Sequence, residues 1–274
     1  MDSEIPSNTN EYKATLANIG ATCFMNSTIQ ALCRSGHLHN HIRSIRDSSD
    51  YTFIVEWKDL IKNFYANAVI TPRRFHLFSM DNASRLGFPE LGSVKQHDAH
   101  EYFLYWISMC SSSEFLFTIK TNTVVFCKEC KHKNIKPETS PIIEINPIFK
   151  NLKEAIIKWF EPEQLDDYTC DKCKNKNVLK QVILDSLPNI FAISLKKYHM
   201  IGRSDFDYPD QFIMNGSKYS LVSVICHEGD LHGGHYYTIA RNNPNSEWIN
   251  YNDTRRSKAE FLTKSAYILL YDKI

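Results

Sequence analysis

No stretch of the sequence approaches the ~18 consecutive apolar residues that a membrane span requires. An excess of one charge is also missing. Lys and Arg number 32 and Asp and Glu 31, a net charge of +1, which removes any global electrostatic case for nucleic acid or an anionic membrane as partner. Glycine (9) and proline (10) are sparse and nowhere form a run, so collagenous, low-complexity and linker-like segments are excluded. Residues 1–13 are polar and acidic and lack the basic and apolar regions of a secretory signal. Eight cysteines in 274 residues are too few for a disulfide scaffold. What remains, at 43% hydrophobic and 23% charged, is the composition of a soluble globular protein.

The order of patterns along the chain gives the fold class. Residues 1–14 read as a flexible N-terminal segment. Met25, Ile29 and Leu32 recur at helical spacing within 23–35, with Thr22 placed to cap the start and Gly36 the end. Residues 53–65 and 94–110 read as further amphipathic helices, the latter gathering Tyr102, Phe103, Trp106, Ile107 and Cys110 on or near one face. From about residue 121 the grammar changes to short β-branched and aromatic runs such as TNTVVF, NIFAISL, HYYTIAR and AYILLY, interrupted by one helix near 150–160. Helices first and strands afterwards predict an α+β fold with a site between the halves.

Three segments carry groups suited to chemistry. The first, residues 16–27, puts Cys23 at a predicted helix N-terminus, where the positive end of the dipole favours thiolate. Gly20 permits the tight turn, and the Asn18 amide is available to an oxyanion formed when the sulfur attacks a carbonyl. Taken alone, Cys23 reads equally as a small buried hydrophobe. The second segment, residues 226–238, opens a strand with His235 behind Gly233 and Gly234, which let another backbone approach closely. A histidine base and a cysteine nucleophile from distant positions form the pair that thiol hydrolysis needs. His227, His232 and His235 also permit a rival reading as a zinc hydrolase site, against which no carboxylate stands at ligand spacing. The third segment, Trp248–Thr254, follows His235 by the length of a hairpin. Asn252 is placed to accept from the imidazole and fix its tautomer, with Asp253 as competitor or helper, unless Asn-Asp-Thr merely makes a turn.

The remaining cysteine pattern is separate from these. Cys127/Cys130 and Cys170/Cys173 are two C-x2-C pairs, C-K-E-C and C-D-K-C, at zinc-ribbon spacing. They predict one structural zinc held by four thiolates in a reducing compartment. The alternative use of such a ribbon, binding nucleic acid, needs surrounding basic and aromatic residues, and residues 128–136 are lysine-rich. Two glycosylation sequons, at Asn26 and Asn252, lie inside the chemistry-bearing segments, where a glycan would block them. A cytoplasmic or nuclear protein is therefore expected.

At this point the sequence resembles a known family. NIGATCFMNSTIQAL is similar to the cysteine box of ubiquitin-specific proteases, and HEGDLHGGHYYTIARN with WINYNDTRRS is similar to their histidine box. QHDAHEYF (96–103) resembles their glutamine-aspartate-alanine-glutamate helix, and LKKY (195–198) with FDYP (206–209) gives a fourth match. The resemblance runs from about residue 16 to the C-terminus, with Ala21 standing where the family usually has asparagine.

It implies a papain-like cysteine protease fold with a helical thumb (about 15–120) and zinc-ribbon fingers and palm (about 121–274), acting as a thiol-dependent deubiquitinase. Cys23 is implied as nucleophile, His235 as base and acid, Asn252 as its orienter, Asn18 as oxyanion donor and Asp253 as auxiliary. Asp98 and Glu101 are implied to meet the arginine-bearing tail of ubiquitin, with Gly233 and Gly234 lining its channel. The expected partners are ubiquitin or ubiquitinated proteins, with no nucleic acid, no membrane and no catalytic cofactor, and the protein is expected to be a monomer. The competing readings are an inactive ubiquitin-binding homologue and a zinc-ribbon adaptor.

Overall fold

The computed structural model describes residues 12–46, 52–65, 68–196, 206–230 and 233–274. The first part is helical, with α1 (Cys23–Leu32), α2 (Gly36–Ser44), α3 (Thr52–Lys62), α4 (Arg73–Ala83) and α5 (Ala99–Met109). A short parallel pair, β1 (Thr15–Leu16) with β2 (Val69–Ile70), ties its start to the α3–α4 connection. The strands follow as β3 (Ile119–Cys127), β4 (Lys133–Ser140), β5 (Ile143–Ile145), β6 (Glu163–Gln164), β7 (Val178–Ser186), β8 (Ile190–Leu195) and β9 (Gln211–Met214). They continue as β10 (Ser217–Asp230), β11 (Gly233–Ala240), β12 (Ile249–Asn252), β13 (Arg255–Lys258) and β14 (Ala266–Lys273), with α6 (Leu152–Phe160) between β5 and β6. The fold is α+β, and among the described residues no helix is long and apolar enough to cross a membrane.

Two sheets divide the work. The larger runs β13-β12-β11-β10-β14-β8-β5 with β9 added to the far end of β10, and only its β5–β8 pairing is parallel. It is the palm of the fold. Its long central strands alternate their side chains between two cores. Tyr236, Ile225, Ile268 and Leu270 face the helical thumb, whereas Tyr237, Val224, Leu269 and Tyr271 face α6. The smaller sheet, β4-β3-β7-β6, projects as the fingers.

Helix α1 joins thumb to palm, and all ten of its residues are buried. A helix wrapped on every side must satisfy its polar side chains internally. The Ser27 and Thr28 hydroxyls both donate to the Phe24 carbonyl, at 3.0 and 2.9 Å, and Gln30 donates to Ala14 O at 3.1 Å. The sheet reaches back through Thr238, whose hydroxyl donates to Ser27 O at 2.7 Å, and Ser223, which donates to Ala31 O at 3.3 Å.

Several sequence expectations shift. Residues 1–11 of the expected flexible segment lie outside the described residues, but Tyr12 and Ala14 are buried, with Tyr12 edge-on against Phe64 and Tyr65. The packed chain therefore reaches back to Tyr12. Gly36 does not end α1. It starts α2, because the buried Asp272 carboxylate on β14 accepts from Gly36 N–H (2.8 Å) and Ser35 Oγ (2.7 Å), while Ser35 caps Leu38 N–H. Helix α5 starts at Ala99 and not at 94, since Asp98 takes an extended N-cap conformation. It buries Tyr102, Phe103, Trp106 and Ile107, and Cys110 just beyond it is also buried.

The inter-element hydrogen bond from Thr238 gives a direct test of this docking. Thr238→Val keeps the shape and removes the donor, and should lower stability by about 1 kcal/mol in urea unfolding monitored by tryptophan fluorescence.

Candidate active site

The turn that delivers Cys23 is built by one side chain. Asn18 Oδ1 accepts from the N–H groups of Gly20 (3.3 Å) and Thr22 (3.0 Å) and from the Thr22 hydroxyl (3.3 Å), which itself accepts from Ile19 N–H. Gly20 (φ +111°) and Ala21 (φ +54°) both turn through the left-handed region. Gly20 does so freely and Ala21 against its preference, in a conformation that asparagine tolerates better. The Thr22 side chain is thus consumed by the loop and does not cap α1, contrary to expectation; its carbonyl accepts Asn26 N–H instead. The result sets the Cys23 thiol at the helix N-terminus.

His235 enters from β11. Its Nε2 donates to Asn252 Oδ1 at 2.7 Å, and the ring stands close enough to the Cys23 thiol to feel its charge. With Nε2 committed to Asn252, Nδ1 is the nitrogen left for the sulfur. The histidine is pushed up to about 9, first by its interaction with Cys23, then by the bond to Asn252 and the nearby Cys23 and Asp253 charges, with burial opposing. This favours the protonated imidazole.

Asn252 ends β12 and is paired with Arg255 on β13, so Asp253 and Thr254 form the two-residue turn between them. Asp253 takes the left-handed conformation there (φ +48°). Its carboxylate is occupied on both sides. Oδ1 accepts from Asn26 Nδ2 and Oδ2 from Asn18 Nδ2, each at 3.1 Å, while His235 Nε2 lies 3.9 Å away. Turn-making and site-building are therefore both true of this segment. Asp253 holds Asn18 and leaves the imidazole to Asn252.

Gln96 was not singled out in the sequence, although it opens the QHDAHEYF segment. Its Nε2 lies 3.8 Å from Cys23 Sγ and donates to the Gly234 carbonyl, and its Oε1 accepts from Gly234 N–H at 3.5 Å. It bridges the nucleophile's surroundings to the start of β11. Asp98 stands two residues on. It caps α5 through His100 N–H (2.6 Å) and accepts the Tyr267 hydroxyl on both oxygens, at 2.8 and 2.7 Å. Glu101, one turn later, is half-buried. Gly234 has a reason internal to the hairpin, because a Cβ there would collide with the His227 ring; at Gly233 a Cβ would meet only Gln96 Oε1, at 3.8 Å. His232 lies outside the described residues, as do Lys197 and Tyr198 of the fourth motif.

Among the described residues, the one group of three or more metal-capable side chains is Cys127, Cys130, Cys170 and Cys173, with all four sulfurs within 4.8 Å of one another. No such group includes His227 or His235, so the rival histidine reading finds no support among these residues. Sulfurs of opposite knuckles lie 3.6 Å apart in two pairs, too far for disulfides and close to the ~3.8 Å edge of a tetrahedron with metal–sulfur bonds of ~2.3 Å. The two knuckles are hydrogen-bonded alike. Cys127 N–H donates to His132 O and Lys131 N–H to Cys127 O; Cys170 N–H donates to Asn175 O and Lys174 N–H to Cys170 O. The thiols titrate as a coupled set: the Cys173 backbone N–H pulls Cys170 down, while the neighbouring sulfurs push Cys173 up. This donor set fits a metal ion.

Comparison with known proteins agrees with this geometry. Residues 14–271 match the family described as ubiquitin carboxyl-terminal hydrolase. Probable ubiquitin carboxyl-terminal hydrolase 8 of Schizosaccharomyces pombe is 25% identical over 301 residues, covering 93% of this chain and 64% of that protein. Ubiquitin carboxyl-terminal hydrolase 8 of Saccharomyces cerevisiae is 23% identical over 331 residues, covering 93% of this chain and 69% of that protein. Among solved structures, the SAGA Ubp8/Sgf11/Sus1/Sgf73 module bound to ubiquitin aldehyde matches with a TM-score of 0.81 and 19% identity, over 98% of this chain and 71% of that one. The chain thus spans about two thirds of the length of such relatives.

The raised histidine has a definite pH signature. Because the folded value (about 9) exceeds the ordinary 6.5, the charged ring stabilises the fold below about pH 6.5, and that contribution is lost as pH rises through about 9. The His235 ring protons should titrate near 9 by NMR, and in Cys23→Ala the midpoint should fall toward 6.5, flattening the pH dependence of stability across this window.

Proposed function

The chain belongs to the ubiquitin carboxyl-terminal hydrolase family, and we propose on that premise that it is a thiol-dependent deubiquitinase. The observation that carries this reading is the His235–Asn252 hydrogen bond beside Cys23, whose thiol stands at a helix N-terminus and raises the histidine. In this reading the Cys23 thiolate attacks the carbonyl of ubiquitin's C-terminal glycine. One Asn18 Nδ2 hydrogen is held by Asp253 and the other faces the developing oxyanion. His235 gives its proton to the departing amine, leaving an acyl-enzyme, and then activates the water that releases ubiquitin. Asp98 and Glu101 receive the tail arginines beside the Gly233–Gly234 strand. All the proposed groups come from one chain, consistent with a monomer.

The cysteine tetrad is proposed to hold one structural zinc, which when bound supplies folding energy and no chemistry at the thiol. Asn26 is 3% exposed, which is incompatible with a glycan, and the eight cysteines are free. Both support a reducing compartment, the cytosol or nucleus.

Cys23→Ala should abolish hydrolysis of a ubiquitin C-terminal fluorogenic substrate while ubiquitin still binds, and labelling by a thiol-reactive ubiquitin probe should disappear with it. Retained turnover would end the proposal. Asp253→Ala should lower kcat more than it raises KM, since it releases the oxyanion donor Asn18 and leaves the Asn252–His235 bond in place.

Asp98 needs a gentler substitution than alanine, which would also remove an α5 cap worth about 1 kcal/mol. Asp98→Asn keeps the cap and an acceptor for Tyr267, and should raise KM about tenfold with little change in kcat.

Elemental analysis should find one zinc per chain. Cys130→Ser should lose it and destabilise the fingers, read as a lowered melting temperature.

A further inference from the structure

Strand β11 outruns the strand beside it. On the side away from β10, β12 pairs with β11 only at Thr238, Ile239 and Ala240, so among the described residues no strand covers that edge from Gly233 to Tyr237. An open edge offers its N–H and C=O groups to any extended chain. One side chain covers this one. Gln96, in the loop before α5, donates Nε2 to the Gly234 carbonyl and accepts the Gly234 N–H on Oε1 at 3.5 Å. Its primary amide thus does what the facing residue of an antiparallel strand does, setting one donor and one acceptor against both backbone groups of a single residue.

The place matters as much as the bonds. Gln96 Nε2 is also 3.8 Å from Cys23 Sγ, so Gly234 O lies within about 6 Å of the sulfur, roughly two residue rises along an extended chain. A substrate held with its carbonyl at Cys23 and its tail along Gly233–Gly234 meets the Gly234 backbone about two residues before the attacked bond, where Gln96 now stands. At Gly233 the space is otherwise open, since a Cβ there would meet only Gln96 Oε1, at 3.8 Å. Nor is the side chain locked in. Thr238 and Ser223, which tie the sheet to α1, are wholly buried, as a strut between two layers should be. Gln96 is exposed, and its bonds to Gly234 can be traded for bonds to another chain at little cost.

We propose that Gln96 is a latch on the substrate channel. In the free chain it pairs with Gly234, and it gives way to an extended substrate segment that supplies its own N–H and C=O to the same residue. The exchange conserves hydrogen bonds, so entry is cheap, and until it happens the strand edge beside the nucleophile is not left bare. Gln96 then competes with every substrate, and its removal strengthens binding. A strut between thumb and palm predicts the opposite sign. The identity of the substrate as ubiquitin rests on the deubiquitinase reading; the pairing of Gln96 with Gly234 does not.

The test compares the full chain with Gln96→Ala and Gln96→Met, the second of which keeps the bulk and loses both bonds. With the ubiquitin C-terminal fluorogenic substrate, each variant should lower KM about fivefold, the worth of one net hydrogen bond, with no matching fall in kcat. A raised KM, or a fall in kcat at constant KM, would overturn the latch and leave Gln96 as a strut or a partner of the thiol. A lowered KM in Gln96→Ala alone would mean that bulk obstructs and no bond is exchanged, which overturns it equally. A second readout needs no ubiquitin. Hydrogen exchange at the Gly234 N–H of the free chain, followed by NMR, should quicken about fivefold in both variants. Should the parent fail to process ubiquitin, the deubiquitinase reading falls and the exchange rate decides alone: quickened exchange upholds the latch, and unchanged exchange ends it.

Discussion

The burial of α1 on every side is the constraint from which the site follows. A helix that presents no face to water must pair its polar donors: the Asn26 and Gln30 amides donate to backbone carbonyls of residues 14, 16 and 17 and to Asp253 of the β12–β13 turn, while the Ser27 and Thr28 hydroxyls turn back to Phe24 O within the helix. The hydrogen bonds that make the helix tolerable inside the molecule therefore also fix where its N-terminus points. Cys23 sits where thumb and palm meet because that is where a docked helix must end. The core residues on its two sides, such as Phe24 and Ile29 toward the thumb and Ile225 and Tyr236 from the sheet, make any shift of α1 costly in apolar area.

The division of labour between Asn252 and Asp253 follows from strand geometry. Asn252 is the last residue of β12 and keeps its side chain in register with the sheet, toward β11 and His235. Asp253 is the first residue of a two-residue turn, and its left-handed backbone swings the carboxylate toward Asn18 and Asn26. Adjacent residues with interchangeable chemistry are thus sent to opposite ends of the nucleophile. One hydrogen-bonds the His235 imidazole and the other the Asn18 amide. Asp253 still acts on the imidazole through its charge, from 3.9 Å, while both of its carboxylate oxygens accept from amides.

How far the sequence foretold this depends on what kind of signal each residue left. Cys23, His235 and Asn252 were legible through segment order and residue type, and the paired cysteines through spacing, because both are local patterns. The limit at Gly36 was misread because Asp272, 236 residues away, supplies the carboxylate that starts α2; nothing nearby marks it. The 73–83 helix went unseen because only Phe75, Ser79 and Ala83 are buried, a stripe too thin to register as periodic. Strand β4 (KNIKPETS) is polar and contains Pro137, tolerable because it lies at the edge of the finger sheet. Gln96 and the cap formed by Asp98 involve Gly234 and Tyr267, contacts that exist only once thumb and palm close.

The fingers stand on a different footing from the rest. Their own buried core consists of Cys127, Cys170 and Val178, with Val125, Leu165 and Tyr168 packed around it, far too little apolar area to order a projecting four-stranded sheet tip. Two of the three core members are metal-capable thiols. The metal proposed for the cysteine tetrad would supply cohesion at the tip, whereas the thumb and palm are held by large shared cores that contain the thiol site. The finger sheet meets the rest of the molecule through β3 and β7, through the β4–β5 and α6–β6 connections, and through α6, whose Phe160 carbonyl accepts from Gln181 Nε2 of β7. A tip with so small a core leaves room for exposed lysines in left-handed backbone, Lys131 and Lys174, because few side chains there must interdigitate. Left-handed non-glycine backbone occurs on both footings, at Lys131 and Lys174 in the fingers and at Ala21 and Asp253 beside α1, where hydrogen bonds from Asn18 and Asn26 hold it in place.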